Sequence, residues 1–193
     1  MARPRKFSED QILDAAAQAC LDHWRDATVA NVAAITGAPI GSIYHRFASR
    51  DALFGALWVR SITRLHAGLM AAAAVDDPRE SLDAMTVHIP RFCRSNPLDA
   101  KAMTLYRRVD LVDLVPESRR HEVETINDAI DATLRTVTAR RYGRLTERRL
   151  RLARVATRQG PYGLIRPFVG GDIPREYDAI CVASARGILS LGD

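Results

Sequence analysis

The sequence has few cysteines and few aromatic residues, and it has no long apolar run. Its three cysteines, Cys20, Cys93 and Cys181, are odd in number and form no close pair. We therefore expect free thiols in a reducing cytoplasm rather than a secreted disulfide scaffold. No run of about 18 apolar residues occurs, and the basic residues at the start lead into polar ones, so neither a signal peptide nor a membrane-spanning helix is predicted.

Alternating β-branched stretches are also missing, which leaves helices as the predicted secondary structure. Alanine-rich segments carry apolar residues at three- and four-residue spacing throughout the 193 residues, and this is the pattern of amphipathic helices. The chain is 47% hydrophobic and 26% charged, so it can bury a core as one domain or two small ones and is not a disordered tail. The predicted fold class is all-α with about nine helices.

Capping residues predict where the first four helices begin and end. Ser8, Thr28 and Ser49 are typical N-caps, Gly37 suits a helix end, and Pro39 suits the first position of the next helix. The predicted helices are residues 9–23, 29–36, 39–47 and 50–74.

Proline, glycine and aspartate residues divide the rest of the chain into five further predicted helices. A kink is expected where Gly160 and Pro161 interrupt the eighth helix. The predicted ranges are residues 78–94, 97–112, 116–142, a helix from 146 onwards, and 172–191.

The second and third helices have the dimensions of a helix-turn-helix. They are joined by Gly37-Ala38-Pro39, and a glycine at the turn is common in this motif. In the third helix Ile43 and Phe47 lie four residues apart and can pack inward, whereas the neighbouring side chains carry groups that bind phosphates and base edges. Gly41 weakens so short a helix, and we expect it to permit close approach of DNA or of the facing helix.

The segment from about Phe7 to Leu65 resembles the tetracycline-repressor (TetR) family of bacterial transcriptional regulators. The matching stretches are Ile12-Leu-Asp-Ala-Ala16, Ala27-Thr-Val29, Val32-Ala33, Gly37-Ala-Pro-Ile-Gly-Ser-Ile-Tyr-His-Arg-Phe47 and Ser49-Arg-Asp-Ala-Leu53. The chain departs from the family pattern late in the first helix, where Cys20 stands in place of a large aromatic residue. We expect Trp24 to fill the space left by Cys20.

The resemblance implies a homodimer that places two recognition helices in successive major grooves of a palindromic operator. It implies phosphate contacts from Thr28, Tyr44, His45 and Arg50, and base contacts from Pro39, Ile40, Gly41 and Ser42. Arg46 belongs to the same predicted DNA-binding set, and Arg3, Arg5 and Lys6 could add a basic arm. For Tyr44 a packed aromatic, for Arg46 a solvated or salt-bridged charge, and for the arm a solubilising tail remain alternatives.

The resemblance also implies a DNA-binding domain at residues 1–50, a connecting helix at residues 50–74, and a ligand-binding and dimerisation domain at residues 51–193. A small-molecule effector would bind in the second domain. The predicted effector-pocket residues, for which a plain core role is the alternative, are His88, Phe92, Met103, Tyr106 and Tyr162. The predicted dimer residues on the last helix are Ile180, Ala183 and Ile188. No cofactor, metal or membrane partner is expected.

Two other functional classes compete with a DNA-binding regulator. An enzyme finds little support, because His121-Glu122 lacks the second histidine of a zinc-protease motif, Cys20 and His23 lack a second ligand pair, and the Gly37–Ser42 segment lacks the lysine of a phosphate-binding loop. A helical interaction protein that keeps the fold without binding DNA stays open.

The net charge of +5 hints at an anionic partner, but its position matters more than its size. Residues 135–158 hold nine arginines and one acidic residue, whereas residues 1–66 hold eight basic and six acidic residues. Arg144, Arg148, Arg151 and Arg158 fall close to one helical stripe. We predict a solvated face paired with the acidic segment 67–134; an anionic-ligand surface or a second nucleic-acid surface is the alternative.

Overall fold

The structure, a computed structural model, describes residues 7–193, and these residues form α-helices with no strand. The predicted all-α fold is confirmed. The helices are α1 Glu9–His23, α2 Val29–Thr36, α3 Ile40–Tyr44, α4 Arg50–Ala73, α5 Pro78–Ser95, α6 Pro97–Ala102, α7 Arg108–Leu114, α8 Glu117–Thr125, α9 Asp128–Tyr142, α10 Glu147–Arg154, α11 Gly160–Ile165 and α12 Tyr177–Ser190. Within this described part, no helix is both long enough and apolar enough to cross a membrane.

Helices α1, α2 and α4 begin where the capping residues predict, whereas α3 is shorter than the predicted 39–47: it covers Ile40–Tyr44, with Pro39 as its N-cap instead of its first residue. The hydroxyl of Ser8 accepts a hydrogen bond from the backbone N–H of Gln11 at 3.1 Å, and that of Thr28 accepts one from Asn31 at 3.1 Å. Both pairs are closed in return by the glutamine or asparagine side chain, so each helix has two of its free N–H groups satisfied. Gly37 follows α2 with φ of +67°, a conformation that glycine adopts without strain.

Two helices that the sequence predicts as continuous are each divided in the structure. Residues 97–112 become α6 and α7, and residues 116–142 become α8 and α9. At the end of α6 the hydroxyl of Thr104 donates to the carbonyl oxygen of Lys101 at 2.7 Å. A side-chain bond of this kind competes with the helical backbone pattern, and periodicity does not reveal it.

The irregularity predicted at Gly160 and Pro161 takes the form of a π-helical turn. This turn, Val155–Gln159, connects α10 directly to α11. Because proline has no N–H to donate and its ring crowds the preceding turn, a wider π turn just before it is a physically reasonable solution.

The chain divides into two compact units, and both are discontinuous in sequence. Unit 1 contains the described residues up to Ile62 together with Leu98–Thr125, and unit 2 contains Thr63–Pro97 and Ile126–Asp193. The helix α4 contributes residues to both units. The two contiguous domains predicted from the sequence, a DNA-binding domain at residues 1–50 and a ligand-binding and dimerisation domain at residues 51–193, remain a prediction.

The core of unit 1 forms between α1, α2, α3 and the first half of α4. The buried face of α1 carries several alanines, and because their side chains are small, the neighbouring helices can approach α1 closely. The largest fully buried side chains of this core are Ile12, Ile43, Leu53, Phe54 and Leu57. Because α3 contributes only Ile43 and the following Phe47 to this core, its remaining residues are free to face solvent.

In unit 2 a histidine packs directly against the backbone of α4. The Nε2 atom of His88 lies 3.1 Å from the carbonyl oxygen of Leu65. A Cβ atom added to Gly68 would overlap the imidazole ring of His88, so only glycine leaves room for the ring in this position. Burial lowers the pKa of His88, which favours the neutral ring that donates through one nitrogen.

We predict that Gly68→Ala destabilises the protein by about 1–3 kcal/mol, because the new methyl group must displace the ring of His88. In a His88→Ala background the same change should have little effect, because the obstacle is gone. The measurement is the free energy of unfolding from urea denaturation for the four proteins of this cycle. Equal penalties in the two backgrounds would contradict the contact.

Candidate nucleic-acid interface

The segment from α2 to α3 presents one face to the core of unit 1 and another to solvent. Ile43 and Phe47 are buried, as their four-residue spacing predicts. The exposed residues between Pro39 and His45, here called the α3 surface, are Pro39, Ile40, Gly41, Tyr44 and His45.

Two large side chains dominate the α3 surface. Ile40 is 46% exposed and Tyr44 is 47% exposed. They lie four residues apart and therefore share one side of the helix. An exposed branched side chain beside an exposed phenol can contact a thymine methyl group and a phosphate.

Gly41 has no structural reason within the described part of the chain to be glycine. A Cβ atom built on it meets no atom within 4 Å, and its φ is not in the left-handed region. Glycine costs a helix up to about 1 kcal/mol relative to alanine. The sequence offers two explanations for this glycine. The structure excludes close approach of the facing helix, and close approach of DNA remains.

Two predicted DNA-binding residues, Ser42 and Arg46, bond to each other. The guanidinium of Arg46 donates to the backbone carbonyl of Ser42 at 3.0 Å and to its hydroxyl at 3.2 Å. A second nitrogen of Arg46 donates to the carbonyl oxygen of Phe7 at 2.7 Å. Arg46 thus donates to a carbonyl group of α3 and links the backbone of Phe7 to that helix.

Arg50, the other predicted cation, is also engaged inside unit 1. Its Nε atom donates to the carbonyl oxygen of Ala27 at 2.7 Å, and a terminal nitrogen donates to that of Arg25 at 2.6 Å. The remaining terminal nitrogen lies 3.3 Å from Asp51 and 3.4 Å from the hydroxyl of Tyr106. We call this set of bonds the Arg50 clamp. It fastens the connection between α1 and α2 to the start of α4.

The phenol of Tyr106 completes the Arg50 clamp. It donates to a carboxylate oxygen of Asp51 at 2.8 Å. Burial raises the pKa of Tyr106, and the hydrogen bond to Asp51 raises it further. The phenol therefore keeps its proton and remains a donor over the physiological range.

The five predicted effector-pocket residues are divided between the two units. Met103 and Tyr106 belong to unit 1, whereas His88, Phe92 and Tyr162 belong to unit 2. The rings of His88 and Phe92 have centroids 5.7 Å apart. Burial, and then the nearby thiol of Cys93, raise the pKa of Tyr162, so it too is a neutral phenol.

The predicted dimer residues lie on the last helix of unit 2. Ile180 is 42% exposed and Ala183 is exposed, and their three-residue spacing places them on one side of α12. Ile188 is half-buried. On the same helix Cys181, Ala185 and Leu189 are buried, so α12 has an apolar face inside unit 2 and a second, small and apolar face towards solvent.

Comparison with solved structures shows the same helical arrangement in three bacterial regulators. A TetR-family regulator, PfmR, from Thermus thermophilus has a TM-score of 0.71 at 20% identity over 93% of this chain and 97% of that one. A TetR-family regulator from Shewanella sp. PV-4 has 0.70 at 20% identity over 97% and 98%. The ketosteroid transcriptional regulator KstR2 of Mycobacterium tuberculosis has 0.68 at 18% over 98% and 96%.

The chain has the fold of the TetR-family regulators. Identities of 18–20% carry the TetR fold and do not carry a ligand or an operator. No family model matches the chain, and no curated protein is similar to it in sequence.

Within this TetR fold the expectation for Trp24 is wrong. Its side chain is 41% exposed instead of filling the space beside Cys20. The backbone of Trp24 has φ of +49°, and its indole N–H donates to the hydroxyl of Thr104 at 2.9 Å. A positive φ at a non-glycine residue has no reliable sequence signal.

The arginine-rich segment of this chain, residues 135–158, contains both paired and exposed arginines. Arg158 pairs with Asp131 at 2.5 Å, and Arg154 lies 3.5 Å from the same carboxylate, as expected for pairing with the acidic segment. Arg144, Arg148 and Arg151 are exposed. The predicted stripe is therefore paired at Arg158 and faces solvent at the other three positions.

Two further expectations concern residues that the sites above do not include. Arg3, Arg5 and Lys6 lie outside the described residues. Over residues 7–193, no three histidine, cysteine or acidic side chains are arranged to hold a metal ion.

We predict that Arg50→Ala lowers the free energy of unfolding by about 1–3 kcal/mol, because it leaves the carbonyl groups of Arg25 and Ala27 without their donor. Tyr44→Ala removes a side chain of the α3 surface and should change stability by no more than about 0.5 kcal/mol. Urea denaturation of both variants tests this difference. Equal stability of the two variants would mean that the Arg50 clamp contributes nothing to folding.

Proposed function

We propose that the protein is a transcriptional regulator that binds a palindromic operator through the α3 surface of two protomers. The observation that carries this proposal is the exposure of Ile40, Gly41 and Tyr44 on a short helix after a glycine turn. In helix-turn-helix proteins the second helix enters the major groove with its first residues against the base edges. The TetR fold supports the same geometry.

The chemistry of the α3 surface suggests a division of roles. Pro39 and Ile40 offer apolar contacts to thymine methyl groups, and Gly41 lets the backbone approach the groove floor. Tyr44 and His45 offer a hydroxyl and an imidazole group to phosphates, and Thr28 would have to exchange its hydroxyl bond to Asn31 for one to a phosphate. Arg50 supports this surface from behind, through the α1–α2 connection, and is not itself required as a phosphate contact.

A second candidate function is that of a helical interaction protein that does not bind DNA. It needs a test because the α3 surface carries no free guanidinium group. Arg46 and Arg50 both use their donors inside unit 1, and phosphate-binding cations supply most of the affinity of DNA-binding proteins. A helical interaction protein with the TetR fold would keep the exposed Ile40 and Tyr44 as a contact for another protein. Selection of bound sequences from a library of random duplex DNA distinguishes the two functions.

We further propose that the protein is a repressor released by a small-molecule effector. Coupling between an effector site and a DNA site requires two states that bind the effector differently. The half-buried ring of His88 against Leu65 of α4, with Phe92 beside it, is a candidate contact. A molecule that displaced this ring would act on the helix that continues into unit 1.

The DNA-binding proposal is tested by selecting the purified protein against a library of random duplex DNA. We expect an inverted repeat to be enriched, because a two-fold dimer reads two equal half-sites. On the selected sequence, Gly41→Ala should weaken binding by at least about tenfold, because its methyl group would meet the DNA. The same substitution should leave the fold intact or stabilise it, because alanine favours helix. Fluorescence anisotropy and urea denaturation measure the two effects.

Leu114→Ala is the control for this experiment, because Leu114 is a 45% exposed side chain of α7 in unit 1 outside the α3 surface. It should bind DNA like the unmodified protein. Failure of the selection with a folded protein would favour the interaction protein. Undiminished binding by Gly41→Ala would mean that another surface contacts the DNA.

The proposed dimer is tested on the exposed face of α12. Ala183→Arg places a charge on this small apolar face and should convert a dimer into a monomer, because an unpaired buried charge is costly at an interface. Ala132→Arg, at an exposed alanine of α9 in the same unit, is the matched control and should remain dimeric. Light scattering coupled to size exclusion measures the mass. A dimer that survives Ala183→Arg would place the interface elsewhere.

A further inference from the structure

Unit 1 contains a cavity next to the Arg50 clamp. Its volume is about 280 Å³, near the lower end of the range for small-molecule pockets. The residues that line it are Arg25, Arg50, Leu105, Tyr106, Arg107 and Asp110. Three arginines against one aspartate make the wall of this cavity strongly basic.

Two of these arginines have hydrogen-bond donors to offer. Arg25 stacks over the ring of Trp24, with its guanidinium carbon 4.8 Å from the ring centroid, and such stacking uses the face of the guanidinium and leaves its N–H edge available. The Nε atom of Arg107 lies 3.8 Å from a carboxylate oxygen of Asp110, which is longer than a hydrogen bond. No ion pair of Arg25 occurs among residues 7–193.

A further cation lies near the ring on which Arg25 stacks. The ammonium of Lys101 lies 5.1 Å from the centroid of the Trp24 ring, on which Arg25 also stacks. Burial raises the pKa of the Cys20 thiol to about 11, while the charges of Lys101 and Arg50 act in the opposite direction.

Apart from Asp110, the rest of the cavity wall is apolar or neutral. Leu105 is buried and Tyr106 is half-buried, and the hydroxyl of Tyr106 is already bonded to Asp51. A guanidinium fork beside an aromatic ring is suited to a carboxylate or phosphate group attached to a small apolar body.

We propose that this cavity binds a small organic anion, a phosphate or carboxylate on a compact apolar group, through Arg25 and Arg107. The anion would link the α1–α2 connection, which carries Arg25, to the α6–α7 connection, which carries Arg107. The Arg50 clamp already holds the carbonyl groups of Arg25 and Ala27, directly before the first residues of α2. The bound anion therefore reinforces the segment that positions α2. This site is separate from the proposed effector contact at His88 and does not depend on DNA binding.

The experiment measures binding of phenyl phosphate and benzoate to the full chain by calorimetry, without DNA and in a buffer free of phosphate and carboxylate. Benzyl alcohol tests the need for charge, and inorganic phosphate tests the need for the ring. We expect at least one of the two ring anions to bind at least about tenfold more tightly than inorganic phosphate, and benzyl alcohol not to bind. Arg25→Gln and Arg107→Gln should each weaken binding of that anion by at least about tenfold.

The control is Arg120→Gln, which removes an exposed arginine of α8 that does not line the cavity. This variant should bind the ring anion unchanged; an equal loss would show a diffuse charge effect and overturn the proposal. A parallel titration with random-sequence duplex DNA separates free anions from backbone phosphates. If only DNA binding depends on Arg25 and Arg107, and neither ring anion binds, the cavity is a DNA-backbone contact and the proposal is wrong.

Discussion

The guanidinium of Arg50, bound to the carbonyl oxygens of Arg25 and Ala27, is the interaction on which the arrangement of unit 1 depends. Helix α2 starts two residues after Ala27, and α3 follows α2 after the turn at Gly37. With 8 and 5 residues, these helices are too short to be stable alone in water. Their positions must therefore come from tertiary contacts. The Arg50 clamp is the tertiary contact that lies directly before α2 in the chain.

The parts of the fold that the sequence predicts are those that depend on neighbours along the chain. The bonds of Ser8 with Gln11 and of Thr28 with Asn31 join residues three apart, and the burial of Ile43 and Phe47 follows from helical periodicity. The Arg50 clamp joins residues 23, 25 and 56 positions apart, and no local pattern marks such bonds. For the same reason the internal bonds of Arg50 are not predicted from the sequence, and the phosphate contact that the family resemblance implies for it stays a prediction.

The overall charge of the chain says little about where an anion would bind. In the arginine-rich segment Arg158 pairs with Asp131 and Arg149 donates to the carbonyl of Gly192, so these charges serve folding. In unit 1 Arg46 and Arg50 do likewise. The cations that keep donors available, such as Arg25 and Arg107, are found from their individual contacts, because a net charge of +5 does not distinguish a paired arginine from a free one.

Gly41 connects the fold to the proposed function most directly. A glycine inside a short helix lowers its stability, and within a well-packed protein such a residue usually makes room for a neighbour, as Gly68 does for His88. At Gly41 the space where a Cβ would stand is empty. The cost to α3 therefore has no compensation within the described chain. Gly163 and Gly187, in α11 and α12, have the same empty space, so empty space alone does not mark a contact, and at Gly41 it is the exposure of Ile40 and Tyr44 beside it that favours a partner.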